Sequence, residues 1–174
     1  MISRPKHRVK VMTRHDRSAF TVTIETCNAA HIADWATLRA ELWPDGTLEE
    51  HREFAVAAIE DATRLAAFLA RDDDGNAVGF AEISLRFDYV NGCSTSPVGF
   101  LEGLYVREAA RRGGIARGLV AAIEHWARER GCTELASDAL LENETAQGTH
   151  RAIGFAETER VVFFRKALDI VVEQ

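Results

Sequence analysis

The segment running from Val106 to Leu119, VREAARRGGIARGL, holds the residues best placed to do chemistry. An apolar stretch ends, small residues and glycines follow, and an amphipathic helix begins at once. Successive backbone N–H groups at a helix start, with no bulky Cβ in the way, form a pocket for a pyrophosphate. Arg111, Arg112 and Arg117 add positive charge there. A Walker loop would need Gly-Lys-Ser/Thr, and the Gly-x-Gly-x-x-Gly dinucleotide spacing is also absent. On the glycines alone, an ordinary strand–helix turn with solvated arginines is the stronger reading.

The elements that must position this turn are legible on either side. Thr21–Cys27 alternates in β fashion, and Asn28 can cap a helix to about residue 42. Trp43-Pro44-Asp45-Gly46 is a turn, and Thr47-Leu48-Glu49-Glu50 is a capping box for a second helix to about 60. Arg64–Arg71 reads as a buried strand, Asp72–Asn76 as a hairpin turn, and Ala77–Tyr89 as the return strand. A Gly/Ser/Pro-rich loop precedes a strand over Gly99–Val106. Residues 114–130 form the strongest helix, with Ile115, Leu119, Ile123 and Trp126 on one face and Gly131 as its stop. Thr133–Ser137 is a short strand, a helix lies near 143–152, and Glu157–Lys166 is expected to be a last long strand. The fold class is α/β (α+β), a mixed central β-sheet with helices on both faces.

With 174 residues, 47% of them apolar, the chain suits one domain with its own core. The charge is unevenly placed. The first 20 residues hold Arg4, Lys6, Arg8, Lys10, Arg14 and Arg17 against Asp16, which leaves 15 basic and 26 acidic residues, a net −11, in the remainder. Residues 1–21 therefore read as a basic extension, disordered or appended, and 22–174 as a single domain. An acidic body argues against nucleic acid and fits a cationic partner, although acidic surfaces also serve solubility alone. No segment approaches the ~20 apolar residues of a membrane span. Cys27, Cys93 and Cys132 lack metal-ligand spacing, so no metal is expected, and reduced thiols in a cytoplasmic protein are the default.

Arg111-Arg112-Gly113-Gly114-Ile115-Ala116 satisfies the Gln/Arg-x-x-Gly-x-Gly/Ala signature of the GCN5-related N-acetyltransferase (GNAT) superfamily, and the chain resembles that family here. Asn143-x-x-Ala146 and Gly154-Phe155 stand where the family has a second cofactor-contacting helix and the turn after it. The resemblance implies acetyl-CoA as co-substrate, lying where two parallel strands splay apart. The backbone of Leu104, Tyr105 and Val106 would pair with its pantetheine arm, and the amides from Arg112 through Gly113, Gly114, Ile115 and Ala116 to Arg117 would hold its pyrophosphate. Asn143 would contact the cofactor near the reacting end.

An amine acceptor is mostly protonated at pH 7, so attack on a thioester needs a proton acceptor. Candidate carboxylates are Glu82, Asp88, Glu102 and Asp138. Asp138 ends a strand at the carboxyl edge where such sheets place ligands, and helix capping is its alternative role. Glu102 lies amid Phe100, Leu101 and Leu104, where a carboxylate is costly to bury without a cation. For Glu82 and Asp88 a structural role is favoured.

Several strings resemble one branch of the superfamily, the aminoglycoside 6′-N-acetyltransferases. They are Leu42-Trp43-Pro44, the segment from Asp88 to Cys93, Leu101-Glu102-Gly103, Ala136-Ser137-Asp138, and Gly154-Phe155-x-Glu157-Thr158-Glu159-Arg160. The similarity covers about residues 22–168. It implies a polycationic small-molecule acceptor, bound by Trp43, Tyr89, Glu102, Asp138 and Glu159, and a homodimer. Acids would pair with the ammonium groups, and Trp43 and Tyr89 offer flat faces for the sugars and for cation–π contact. Many superfamily members carry a tyrosine four residues before the Gly-Phe turn as general acid. Here that position is His150, which can protonate a thiolate or simply pack. Asp138 is the first choice of base. Other acceptors, such as a polyamine, an amino sugar or a protein amine, and a non-catalytic acyl-CoA sensor remain open alternatives.

Overall fold

The structure, a computed structural model, describes residues 22–167. The basic extension expected at 1–21 lies outside the described residues. The elements are β1 Thr23–Thr26, α1 Ile32–Leu42, α2 Leu48–Glu60, β2 Leu65–Arg71, β3 Ala77–Arg86, β4 Val98–Val106, α3 Ile115–Arg128, β5 Leu135–Ser137 and α4 Glu144–Ala152. Short 3-10 turns precede α1 and follow β4.

Local chemistry sets the helix starts. Asn28 accepts from the Ala30 amide at 2.9 Å, and His31 Nδ1 accepts from the Asn28 amide at 3.0 Å. At α2 the Thr47 hydroxyl accepts from the Glu50 amide, and the Glu50 carboxylate accepts from the Thr47 amide at 2.7 Å. Both are reciprocal caps that satisfy donors otherwise left orphaned.

The five strands run in sequence order. The pairs from β1 to β4 are antiparallel, and β4 pairs with β5 in parallel. One layer of core, under α3, joins Ile24, Phe68, Ile83 and Leu101 to Ile115, Leu119, Ile123 and Trp126. The opposite layer packs Trp35, Leu38, Ala55 and Ala58 of α1 and α2 on Leu69 and Phe80. The sheet is thus covered on both faces, as the helix periodicities require.

Two features of β4 shape the site. Glu82 faces Gly103 and Ile83 faces Leu101, so Glu102 is the extra residue of a bulge. The parallel ladder to β5 has three rungs and ends at Leu101↔Ser137. Beyond it, the β5-side edge of β4 from Glu102 to Val106 has no strand beside it among the described residues.

Two expectations are corrected. β3 ends at Arg86, so Asp88 and Tyr89 lie in the loop that follows. Residues 157–166 form no strand, and Val161, Val162, Phe163 and Phe164 are exposed. A strand exists only where a neighbouring strand completes its hydrogen bonds. This segment has no such neighbour among the described residues, so its β-prone composition alone does not make a ladder.

Candidate active site

The turn after β4 has the backbone of an anion cradle. Arg112 (φ 66°) and Gly114 (φ 76°) both adopt the left-handed region, which turns successive amides toward one side just before α3. Arg112, Gly113 and Gly114 donate to no backbone acceptor among the described residues. The first turn of α3 carries no acidic residue to compete for those amides or for the positive end of the helix. Arg111 Nε donates to the Val106 carbonyl at 2.9 Å, and Arg117 donates to the Ala152 carbonyl at 3.2 Å, tying α3 to the end of α4. Arg107 anchors the start of the turn through Glu41, at 2.5 to 3.1 Å, and through the Ala77 carbonyl at 2.8 Å. These bonds hold the Glu41 carboxyl below the usual carboxylate range. Unpaired amides, a helix start and flanking arginines together fit a pyrophosphate. The open edge of β4 through Leu104, Tyr105 and Val106 fits an extended amide-bearing chain laid beside it as an added strand.

Glu102, on β4, and Asp138, the residue that follows β5, stand immediately beyond the last rung. Asp138 is exposed, and no partner for it is found among the described residues. Glu102 is engaged. Its Oε1 accepts from Ser84 Oγ at 2.5 Å, and Arg86 Nη2 lies 3.0 and 3.2 Å from its two oxygens. Ser137, on the last rung, places its Oγ 3.1 Å from the Leu101 carbonyl and 2.9 Å from His150 Nε2. His150 Nδ1 lies 2.8 Å from the Ala146 carbonyl, which can only accept, so Nδ1 carries a proton. The ring packs edge-on against Phe155 at 5.3 Å. Asn143 uses its side-chain oxygen to cap α4 through the Ala146 amide at 3.0 Å.

Trp43 ends α1 and forms a wall above β4. Its indole lies directly on Gly103, where an added Cβ would come within 2.5 Å of the ring, and it packs against Phe80 at 6.0 Å. The Arg39 guanidinium sits between Trp43 (4.6 Å) and Phe54 (3.7 Å). Glu82 completes this support. It is buried and accepts from Trp35 Nε1 at 2.5 Å and from Arg39 Nη1. Burial pushes its carboxyl up, and the Arg39 guanidinium and then the Trp35 indole pull against that. Glu82 therefore lies beneath the wall and is closed off from any acceptor.

Tyr89 and Glu159 meet through their loops. Asn91 Nδ2 donates to Glu159 Oε2 at 3.0 Å, and Gly92 approaches Thr158 so closely that a Cβ there would fall 2.2 Å from its Oγ1. Tyr89 is 77% exposed, an aromatic face turned to solvent two residues from that contact. Glu134 fastens the same loop to β5, accepting from the Ser94 amide at 2.9 Å and the Thr95 amide at 2.7 Å.

Residues 29–155 match the acetyltransferase (GNAT) family. The chain belongs to that family. Among curated GNAT relatives, the aminoglycoside N(6′)-acetyltransferase type 1 of Serratia marcescens is 50% identical over 145 residues, covering 83% of this chain and 99% of the relative. Among solved structures, AAC(6′)-Iy in complex with the bisubstrate analogue CoA-S-monomethyl-acetylneamine superposes with a TM-score of 0.80. It has 44% identity and covers 84% of this chain and 99% of that one. The aminoglycoside N-acetyltransferase AAC(6′)-Iy in complex with CoA gives a TM-score of 0.83 at 42% identity, covering 88% and 100%.

Sequence reasoning missed Ser84, Arg86, Arg39 and Ser137. Each acts across the sheet or across a helix–sheet contact, so no local spacing announces it. Only the alternation along β3, which puts Phe80, Glu82, Ser84 and Arg86 on one face, could have linked Ser84 and Arg86 to the candidate acid. Among the described residues no cluster of His, Cys, Asp and Glu could hold a metal ion, and no helix is long and apolar enough to cross a membrane.

Proposed function

We propose that this GNAT protein is an aminoglycoside 6′-N-acetyltransferase, transferring the acetyl group of acetyl-CoA to the 6′-amine and so conferring resistance. One observation carries the reading. The β4–β5 ladder opens with Glu102 and Asp138 first beyond its end, beside the Trp43 wall, in a chain 50% identical to the Serratia enzyme.

In this reading the pyrophosphate sits on the amides of residues 112–117, and the pantetheine arm pairs with the open edge of β4. Trp43 and Tyr89 face the sugar rings, and Glu102, Asp138 and Glu159 take ammonium groups. Asp138, exposed and uncommitted, receives the proton of the attacking ammonium directly or through one water. The freed nitrogen lone pair then forms the C–N bond at the thioester carbonyl. The C–S bond then breaks, the acetylated nitrogen gives up its second proton to solvent, and the thiolate takes a proton from solvent. Both nitrogens of His150 are bound within the protein, so we assign it to tie α4 to β5 rather than to act as acid.

We further propose a homodimer, supported by the exposed run Val161-Val162-Phe163-Phe164, and a cytoplasmic location, supported by acetyl-CoA use and three free cysteines. The deciding assay is thiol release from acetyl-CoA with kanamycin, tobramycin, spermidine or a lysine peptide as acceptor. Release is expected with the two aminoglycosides. No release with either overturns the reading, and release with the peptide alone favours a protein amine.

A further inference from the structure

The α1/α2 face of the sheet carries two Arg–Glu pairs, Arg39 of α1 with Glu82 of β3 and Arg86 of β3 with Glu102 of β4, and they differ in kind. Arg39–Glu82 is buried, with side chains 10% and 5% exposed, and is locked by Trp35 and Phe54. Arg86–Glu102 is open to solvent, at 41% and 33%. A single nitrogen of Arg86 reaches the Glu102 carboxylate, and its guanidinium rests on the Phe100 ring, 3.2 Å from the centroid. The carboxylate is separately held by Ser84, so it keeps its place whether or not Arg86 is paired with it. Exposed pairs of this kind hold weakly and exchange with other cations.

We propose that Arg86 is a specificity-determining residue: it occupies the cation position at Glu102 in the free enzyme, and an acceptor ammonium has to take that position from it. This rests on the reading that Glu102 binds the acceptor. A positive charge about 3 Å from the carboxylate cancels most of the attraction that an approaching ammonium would feel. The aromatic face of Phe100 keeps the guanidinium nearby once it is displaced. Arg86 thus favours acceptors with several ammonium groups, which can compete for Glu102 while anchored elsewhere.

The test is steady-state acetyl transfer to tobramycin by the unsubstituted enzyme, Arg86→Met, Arg86→Gln and Arg86→Lys. Glu102→Gln is added in the unsubstituted and Arg86→Met backgrounds. Both neutral variants are expected to lower the tobramycin KM roughly five-fold at low salt, an advantage that shrinks at high ionic strength. Arg86→Lys should show no such gain, and Glu102→Gln should raise KM alone and cancel the gain in Arg86→Met. The KM for acetyl-CoA, read in the same assays, reports folded enzyme. A tobramycin KM that stays the same or rises in both neutral variants overturns the proposal, because Arg86 would then only brace Glu102. Glu102→Gln without effect on its own overturns instead the assignment of Glu102 to the acceptor, and the proposal falls with it.

Discussion

Glu102 on β4 and Asp138 just after the end of β5 are the first residues past the last rung of the β4–β5 ladder. The two differ in their bonding. Glu102 is held by Ser84 and Arg86, whereas Asp138 has no partner among the described residues and is exposed. A fixed acid suits binding, and a free one suits proton transfer. Asp138→Asn is therefore expected to lower kcat about 100-fold while leaving the KM for acetyl-CoA within about two-fold. Unchanged turnover would remove Asp138 from the chemistry.

The Trp43 indole fills the space that a side chain at Gly103 would need. Gly103→Ala puts a methyl 2.5 Å from the ring, so the indole must move away from β4. The expected outcome is a tobramycin KM raised about ten-fold, with a loss of stability of about 1–3 kcal/mol from overpacking. Denaturant titration alongside kinetics separates the two effects. A KM that stays within two-fold would mean that the indole does not face the acceptor.

Much of this architecture is legible in the chain itself, for physical reasons that vary by element. Asn28, Thr47 and Glu50 mark helix starts because capping is a local bond between residues two or three apart. Ile115, Leu119, Ile123 and Trp126 mark α3 because burial has the helical period. The Glu102 bulge and the Arg39–Glu82 pair are invisible locally. The first is a mismatch between two strands, and the second joins residues 43 positions apart. The segment 157–166 misled for the opposite reason: its composition is that of a strand, but a strand also needs a partner that composition does not supply.

Glu82 and Arg39 form a buried pair beneath Trp43, and Arg39 Nε has no hydrogen-bond partner among the described residues. Glu82→Gln leaves the guanidinium uncompensated in the core. It should cost about 3–5 kcal/mol, and Arg39→Met a similar amount. The double variant Glu82→Gln/Arg39→Met removes both charges, and its loss should be well below the sum of the two singles. Urea unfolding of the four proteins checks this, and additive losses would show that the pair is not a coupled unit.

Glu134 governs how the Tyr89-bearing loop is tied down as the pH falls. The Thr95 hydroxyl, the Ser94 amide and the Thr95 amide bond its ionised form and hold its carboxyl below the usual range. A folded value below the unfolded one means the tether is fully present above the ordinary glutamate value of about 4.3. It is lost as the pH falls through the lower folded value. Hydrogen-exchange protection in residues 90–97, measured against the intrinsic exchange rate at each pH, should therefore fall on acidification in the unsubstituted protein. In Glu134→Gln that protection should be low already at pH 7 and change little between pH 6 and pH 3. An identical profile in both proteins would show that the carboxylate does not hold the loop.

The last stretch of the described chain bears on assembly. Phe163 is 87% exposed and Phe164 is 94% exposed, next to Val161 and Val162, which are exposed too. Contiguous apolar surface of this kind marks an interface. The residues are strong β-formers in an extended segment whose backbone has no ladder partner among the described residues, so a second copy is the simplest source of both cover and hydrogen bonds. Light scattering at micromolar concentration should give twice the 19.3 kDa chain mass. Phe163→Glu and Phe164→Glu should each weaken association by about ten-fold or more, since burying a phenylalanine is worth about 1.5–3 kcal/mol. A monomeric unsubstituted protein would overturn the dimer, and dimers unaffected by both substitutions would move the interface elsewhere.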